Sequence, residues 1–304
     1  MRVGDAKRVK IRMIGPYREA RRSIKTEAKL IVQFELFVFH LTYLYRSRCK
    51  STHYFYIASD IFDFFSKKEK IVSLRSVNEI IMTLQEAIVA RHSVRQYLEK
   101  PIESEKVVQL QALIGECNKE GQLRLQLVTD EPKAFASGMA KYGGFKGVGN
   151  YIAVVGPKGE DVKLGYYGEK VVLLAQTLGL NSCWVGMSFK KQPDQYQVLD
   201  GESLVAVIAL GYGANQGNAH PQKKGIEHFC HVEGPMPEWF RKGMEAALLA
   251  PTAVNQQKFE FILHEGNRVE AKAKFTFIGY AALDLGIVKC HFEIGAGKEN
   301  FSWT

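Results

Sequence analysis

The pattern of apolar and polar positions becomes regular only from residue 82 onward. Apolar residues recur at helical spacing in 83–90, and a longer helix with the same spacing is expected to begin at Ser104, a residue type that commonly caps helices. A central helix is predicted at 169–178, because Gly179 is a typical residue to follow a helix end. The other predicted elements are strands at 123–128, 151–155, 181–187, 204–210 and 258–264, and helices at 237–250 and 278–286.

Two polar, glycine-containing stretches separate these elements. Residues 141–150 carry four glycines and are predicted to form a mobile loop. Residues 214–236 are predicted to be a long crossover between a first half, residues 82–213, and a second half, residues 237–304.

The order of elements is weakly repeated between the two halves. In each half a helix precedes a strand, and later a helix ends in Leu-Gly before a cysteine-containing strand, at 178–183 and at 285–290. Glu169 is expected at the start of the central helix, where the helix dipole favours a carboxylate, and the alternative is that its side chain faces a cleft. The predicted fold class is therefore α+β, with a mixed β-sheet core flanked by helices and two similar halves packed as an intrachain pseudo-dimer.

The charge is concentrated in the first quarter of the chain. Residues 1–81 contain 17 Lys and Arg against 8 Asp and Glu, whereas residues 82–304 contain 24 of each, so the formal net charge of +9 comes entirely from the first segment. The body at 82–304 is neutral, and its composition does not favour a nucleic-acid partner.

Three interpretations of the basic extension at 1–81 remain open. Its apolar run at 30–45 contains Glu35 and His40 and is shorter than the ~20 residues that span a bilayer. The segment could bind a membrane surface, form a buried helical appendage, or be translated from upstream of the natural start. The last is favoured, because Met82 stands directly before the first regular element.

The five cysteines are scattered and show no metal-binding spacing. An odd number of unpaired thiols is typical of a reducing compartment, and we expect a cytoplasmic protein. The chain also lacks a phosphate-binding Walker loop, a GxGxxG turn and a Gly-x-Ser-x-Gly elbow, so phosphoryl transfer, a Rossmann dehydrogenase and serine hydrolysis have no support.

The segment Arg91-His92-Ser93-Val94-Arg95 is a candidate anion site. In an extended backbone, Arg91, Ser93 and Arg95 point to the same side. Two guanidiniums and a hydroxyl would form a clamp for a phosphate. The alternative is a solvated strand face or loop.

Three segments together resemble the nitroreductase family of FMN-dependent oxidoreductases. Residues 82–97 with Pro101-Ile102 resemble the family's N-terminal signature. The segment Ala250-Pro-Thr-Ala-Val-Asn-Gln-Gln257 is similar to the family's Ala-Pro-Ser-x-x-Asn-x-Gln-Pro motif, and 178–186 is similar to its Gly-Leu-Gly-x-x-Trp-x-Gly stretch. The resemblance covers 82 to about 290 and implies a nitroreductase-like fold.

The spacing of these segments departs from the ordinary family. The Pro-Ser-x-x-Asn motif normally follows the Arg/Ser/Arg clamp closely, whereas here the equivalent loop lies in the second half of the chain. The family is normally a homodimer with its flavin at the interface. This chain is similar to a subgroup in which two subunits are fused, which implies a monomer that binds one flavin.

The resemblance also implies the site. Arg91, Ser93 and Arg95 would hold the FMN phosphate, and His92 between them would be a further cofactor-binding residue. Lys223 or Lys224 would supply a further cation, or the two could equally be a solvated loop pair. Pro251, Thr252 and Asn255 would line the flavin ring. Trp184, Val185 and Gly186 would pass beside the ring, with a backbone N–H near Gly186 facing flavin N5, although Trp184 and Val185 could equally be ordinary core.

The implied function is an FMN-containing NAD(P)H-dependent oxidoreductase. NADH or NADPH would be the donor, and the acceptor would be a small molecule such as a nitroaromatic or a quinone. Hydride would pass through the flavin, so no side chain is needed as a catalytic acid or nucleophile, no metal is expected, and the body needs no membrane. The alternative is a flavin-binding or regulatory protein without turnover.

Overall fold

The computed structural model describes residues 82–220 and 224–304. These residues belong to one compact unit. The predictions for the basic extension at 1–81 and for Lys223 lie outside the described residues.

The described residues form six α-helices and eight β-strands. The helices are α1 (Leu84–Ala90), α2 (Ser104–Gly121), α3 (Gly138–Tyr142), α4 (Asp161–Thr177), α5 (Glu238–Leu248) and α6 (Ala281–Ala296). The strands are β1 (Arg124–Val128), β2 (Asn150–Pro157), β3 (Asn181–Val185), β4 (Glu202–Gly211), β5 (Cys230–Val232), β6 (Phe259–His264), β7 (Arg268–Ala273) and β8 (Ser302–Trp303).

Each half of the chain builds its own four-stranded sheet. The first sheet has the order β1-β2-β4-β3, and every neighbouring pair is antiparallel. The second sheet has the order β5-β6-β7-β8, in which β5 pairs with β6 and β7 with β8 in parallel, while β6 and β7 are antiparallel. The predicted α+β class with mixed sheet pairing is confirmed, and the crossover at 214–236 contributes β5 to the second sheet.

Helices α4 and α6 join the two halves through glycines. A Cβ atom added to Gly165 would lie 2.0 Å from the carbonyl oxygen of Leu283, and one added to Gly286 would lie 1.9 Å from that of Val162. The two backbones therefore approach each other more closely than any larger side chain would permit. This contact sets the separation of the halves.

Helix α1 is fixed by a cap at its N-terminus and by one buried face. A capping box begins it, in which the Glu86 backbone N–H donates to Thr83 Oγ1 and the Thr83 N–H donates to the Glu86 carboxylate. Ala87 and Ile88 are buried with Leu173 and with Cys290 of α6. The helix therefore delivers Arg91, which follows it directly, to the junction between the halves.

Aromatic side chains fill the core of the second half. Phe261 of β6 stacks on Phe292 of α6 with ring centroids 4.6 Å apart, and Phe240 of α5 meets Phe292 edge-on at 5.4 Å. Such ring pairs stabilise beyond the area they bury. The core holds α6 firmly on its sheet.

The structure corrects several sequence predictions. The last long helix is not 278–286 followed by a strand: it spans Ala281–Ala296, and Cys290 lies inside it. The cysteine-strand part of the predicted repeat is therefore wrong, because Gly286 marks a helix contact and not a helix end. The central helix begins at Asp161, so Glu169 lies in its middle and not at its start.

The remaining differences are local. Ser104 is the first residue of α2, and its cap position is held by Glu103, which makes no side-chain capping bond. The glycine stretch at 141–150 begins in the last turn of the short helix α3 and ends at the first residue of β2, and its Lys146 forms an isolated bridge with Gln96. Helix α3 and strands β5, β7 and β8 were not predicted from the sequence.

Among the described residues, no helix is both long and apolar enough to cross a membrane.

Candidate functional site

A cavity of about 710 Å³ lies between the two halves. The first half contributes the end of α1, the clamp segment 91–95 and the end of β3, and the second half contributes the loop 248–257 and the start of α6. The predicted site residues that line it are Arg91, His92, Ser93, Arg95, Trp184, Val185, Gly186, Pro251, Thr252 and Asn255.

Backbone hydrogen bonds hold the clamp segment in place. The Val94 N–H donates to the carbonyl of Ser182 at 3.1 Å, and the Lys146 N–H donates to the carbonyl of Arg95 at 3.0 Å. Val94 is fully buried in the core. The segment is therefore an ordered edge beside β3.

The side chains of the clamp do not alternate as simply as predicted. Arg91, Ser93 and Arg95 line the cavity together, as expected, but His92 lines it too. Arg91 is only 6% exposed, whereas Arg95 is exposed. The two arginines thus occupy different depths of the same cavity.

Arg91 is anchored from both halves of the chain. Its Nε lies 3.7 Å from Glu169 Oε1, and its terminal nitrogen donates to the carbonyl of Leu249 at 3.4 Å. Nε is buried and has no hydrogen-bond partner among the described residues. Nε is therefore held on the Glu169 side of the guanidinium, while Arg91 as a residue lines the cavity and brings a positive charge to it.

The cavity is electropositive beside the clamp. Burial lowers the pKa of His92, and the positive charges of Arg91 and His220 lower it further. His92 is therefore a neutral polar residue near pH 7, and the arginines supply the charge.

The loop at 251–257 is held by one carboxylate. The Ala253 N–H donates to both oxygens of Asp284, at 3.0 and 3.1 Å, and Gln256 Nε2 donates to Oδ2 at 2.8 Å. Burial raises the pKa of Asp284 to about 6, although these hydrogen bonds oppose the rise. Asp284 also lines the cavity.

The loop adopts a tight, unusual backbone. Val254, Asn255 and Gln257 have φ of 45°, 53° and 46°, in the left-handed region that β-branched valine rarely adopts. Thr252 stands where the family has serine, and its hydroxyl accepts a hydrogen bond from the Gln257 N–H at 3.1 Å. The hydroxyl therefore serves the loop itself.

The end of β3 and a tyrosine from the other half form one wall. Trp184 Nε1 donates to Glu169 Oε2 at 2.7 Å, which fixes the indole at the cavity edge. A Cβ atom at Gly186 would lie 2.5 Å from the ring of Tyr280, so this tyrosine packs directly on the Gly186 backbone. Tyr280 has φ of 61° and precedes α6.

Lys224 is not brought to the cavity. It is exposed, and its Nζ lies 2.7 Å from His228 Nε2 on the same loop.

A smaller cavity of about 340 Å³ also adjoins the clamp. Ser93 and Arg95 line both this cavity and the larger one.

The sequence matches the model of a known protein family over most of its length. A protein-family model described as "Putative TM nitroreductase" matches residues 83–296. The chain belongs to this family. No curated protein matches the sequence.

A solved structure described as a nitroreductase shares the fold of most of this chain. A "putative nitroreductase" from Thermotoga maritima matches with a TM-score of 0.50 and 23% identity, over 72% of this chain and 86% of that one. An FMN-dependent nitroreductase from Clostridium difficile R20291 matches with a TM-score of 0.36 and 19% identity, over 44% of this chain and 91% of that one. A "Putative NADH Oxidase" from Clostridium acetobutylicum matches with a TM-score of 0.39 and 20% identity, over 49% and 99%.

The cavity of this nitroreductase-family chain fits FMN. Its size is that of an ordinary cofactor site, and Trp184, Val185 and Tyr280 give it an apolar wall. The Arg91 side chain lines the cavity, and the Arg95 side chain forms no ion pair or hydrogen bond within the described residues. The donors that an anionic group needs are therefore present.

Three residues that organise this site, Tyr280, Asp284 and His291, were not predicted from the sequence. Asp284 and His291 lie among the apolar residues of α6, and each is at most 4% exposed. A polar residue inside such a run needs a buried partner, and that signal was available in the sequence. The identity of the partners depends on the fold.

Proposed function

We propose that the chain is an FMN-containing, NAD(P)H-dependent oxidoreductase of the nitroreductase type. NADH or NADPH would donate the hydride, and a nitroaromatic, a quinone or a similar small molecule would accept it. One observation carries the proposal: the clamp at 91–95 and the loop at 251–257, which belong to different halves, line a single cavity.

The clamp would bind the anionic end of the cofactor. Arg91 offers a guanidinium anchored by Glu169, Ser93 a hydroxyl, and Arg95 an exposed guanidinium at the junction with the smaller cavity. Charge-assisted donors of this kind set affinity. Lys223 and Lys224 remain predictions as additional cations, since the described position of Lys224 is away from the cavity.

The walls would orient the flavin ring. Pro251, Thr252 and Asn255 lie on the loop that Asp284 holds, and Val185 and Gly186 lie at the end of β3. When bound, FMN supplies the hydride-accepting chemistry. A backbone N–H at or beside Gly186 would stabilise the negative charge that develops at N5.

The experiment is flavin reconstitution of the full chain. The purified protein is supplied with FMN, freed of excess, and examined for the long-wavelength flavin absorbance. NADH or NADPH is then added without oxygen, and bleaching of that band is expected. A protein that takes up no FMN contradicts the proposal, and one that keeps FMN oxidised in the presence of both nucleotides would be a flavin-binding protein without turnover.

We also propose that the chain acts as a monomer in a reducing compartment such as the cytoplasm. The four cysteines within the described residues are free thiols. Both halves of the cavity come from the same chain, so the site needs no second subunit.

A further inference from the structure

A buried polar cluster lies directly beneath the cavity and joins the two halves. Glu169 of α4 and His291 of α6 are both 0% exposed, and His291 Nε2 lies 2.9 Å from Glu169 Oε1. The same carboxylate oxygen lies 3.7 Å from Arg91 Nε, and the other oxygen accepts from Trp184 Nε1. Two members of this cluster, Arg91 and Trp184, line the cavity.

The contacts of both ring nitrogens of His291 indicate how many protons the His291–Glu169 pair shares. His291 Nδ1 lies 3.1 Å from the carbonyl oxygen of Ala246, which can only accept, so Nδ1 carries a proton. A neutral ring would then turn the lone pair of Nε2 toward a carboxylate oxygen at 2.9 Å, which is repulsive. The Nε2–Oε1 contact therefore holds a second proton, on His291 or on Glu169.

The position of that proton does not alter the charge of the cluster. A protonated His291 with ionised Glu169 sums to zero, and a neutral His291 with protonated Glu169 also sums to zero. Arg91 then leaves the cluster with a net charge of one positive unit. Without the shared proton, Glu169 would neutralise Arg91.

Other charged groups nearby do not cancel this positive charge. Glu293 accepts hydrogen bonds from Tyr166 and Trp303, and Lys298 pairs with it. Asp284 accepts from the loop amides and forms no ion pair within the described part of the chain. The only ion pair of Arg91 among those residues is the one with Glu169.

We propose that His291 is a positioning residue that neutralises Glu169, so that Glu169 can orient Arg91 without cancelling its positive charge toward the anionic cofactor. The inference rests on the proposed function for the identity of the anion. The His291 ring has no exposed surface, so its effect on cofactor affinity is exerted through Glu169 and Arg91.

Charge-neutral substitutions test this role. His291→Gln leaves Glu169 ionised against Arg91, so the net charge falls to zero and FMN affinity should drop about tenfold or more. Glu169→Gln keeps the single positive charge of the cluster but removes the ion-pair partner of Arg91, so it should weaken FMN binding less than His291→Gln does. The double variant restores the single positive charge and should regain most of the affinity that His291→Gln loses.

The control is another His–Glu pair of the same chain. His264 Nε2 lies 3.1 Å from Glu270 Oε2 at a partly exposed position outside the cavity lining, and His264→Gln should leave FMN affinity unchanged. Thermal unfolding verifies that each variant folds. A merely structural cluster predicts the opposite order: Glu169→Gln would be as damaging as His291→Gln, and the double variant worse than either. That result would overturn the proposal. If His291→Gln does not fold, Glu169→Gln decides, and a loss of FMN affinity of about tenfold or more in that variant would overturn the proposal.

The titrations separate this inference from the proposed function. They are run with FMN and with inorganic phosphate, and are followed by the fluorescence of the tryptophans, among which Trp184 borders the cavity. If FMN does not bind to the unmodified chain, the proposed oxidoreductase fails, while the phosphate series still shows whether anion affinity follows the charge of the cluster. If neither ligand follows the predicted order, the inference fails.

Discussion

Arg95 is the clamp residue whose contribution can be measured without disturbing the core. It is exposed, and its side chain forms no ion pair or hydrogen bond within the described residues, whereas Arg91 is buried against Glu169. The sequence predicted both as anion ligands. It could not predict their different depths, because strand alternation specifies a side of the backbone and not what covers it.

Arg95→Ala is expected to weaken FMN binding roughly tenfold or more, because a charge-assisted contact to phosphate is lost. The unfolding temperature should remain unchanged. Arg124→Ala removes an arginine of the first sheet that pairs with Glu202 at 2.8 Å outside the cavity lining, and it serves as the matched control. Equal affinities for the Arg95 variant and the unmodified chain, measured by flavin fluorescence titration, would refute the clamp.

Asp284 gives the site a pH dependence. Burial raises its pKa from 3.8 to about 6, so the folded protein holds a proton that the unfolded chain has released between those values. Its contribution to the free energy of unfolding is therefore fully present below pH 3.8 and is lost as the pH rises through about 6.

Asp284→Asn should remove this pH-dependent contribution to the free energy of unfolding. The unfolding temperature of each protein is measured from pH 4 to pH 8, and the difference between the two curves is the quantity of interest. The unmodified chain should lose stability relative to the variant between about pH 4 and pH 6. A difference that does not vary with pH would show that Asp284 is not the titrating group.

At the scale of elements, α4 and α6 show where sequence periodicity stops being informative. The apolar spacing located both helices, yet it placed the end of the last one at Gly286 because glycine commonly follows a helix end. In the structure this glycine lies against the backbone of Val162, and the helix continues to Ala296. Only the partner helix distinguishes the two roles. Glu169 was predicted at a helix start because its buried partners, which come from three other segments, cannot be identified from the sequence.

Gly286→Ala is expected to destabilise the protein by about 1–3 kcal/mol or more, because its methyl group would lie within the backbone of α4. Gly115 of α2 has no neighbour within 4 Å and provides the control. Gly115→Ala should stabilise by about 0.5–1 kcal/mol through helix propensity. Denaturant unfolding measures both, and a tolerated Gly286→Ala would mean that the helices can separate at little cost.

At the scale of the whole molecule, the two halves are complementary and not equivalent. The clamp lies only in the first half and the loop with φ of 45° at Val254 only in the second, and their sheets differ in strand pairing. The three sequence motifs were sufficient to predict that these segments meet. The Tyr280 wall and the Asp284 support were not predictable, because no motif marks them.

One FMN per chain is the expected stoichiometry, because each chain supplies one clamp and one loop to the cavity. Flavin absorbance after removal of free ligand, divided by protein concentration, gives the ratio. Light scattering on the same sample gives the mass, which should be that of a single chain with its cofactor. Two flavins per chain, or flavin found only in a dimer, would contradict the pseudo-dimer.

The contact of α1 with α6 has a consequence for synthesis on the ribosome. Ala87 and Ile88, at the beginning of the body, are covered by Cys290 of α6, which is translated long after them. A nascent first half therefore presents apolar faces of α1 and α4 until α6 arrives, and during that interval it is prone to aggregate. Chains that stop before α6 should accumulate with chaperones, whereas chains that include α6 should leave them.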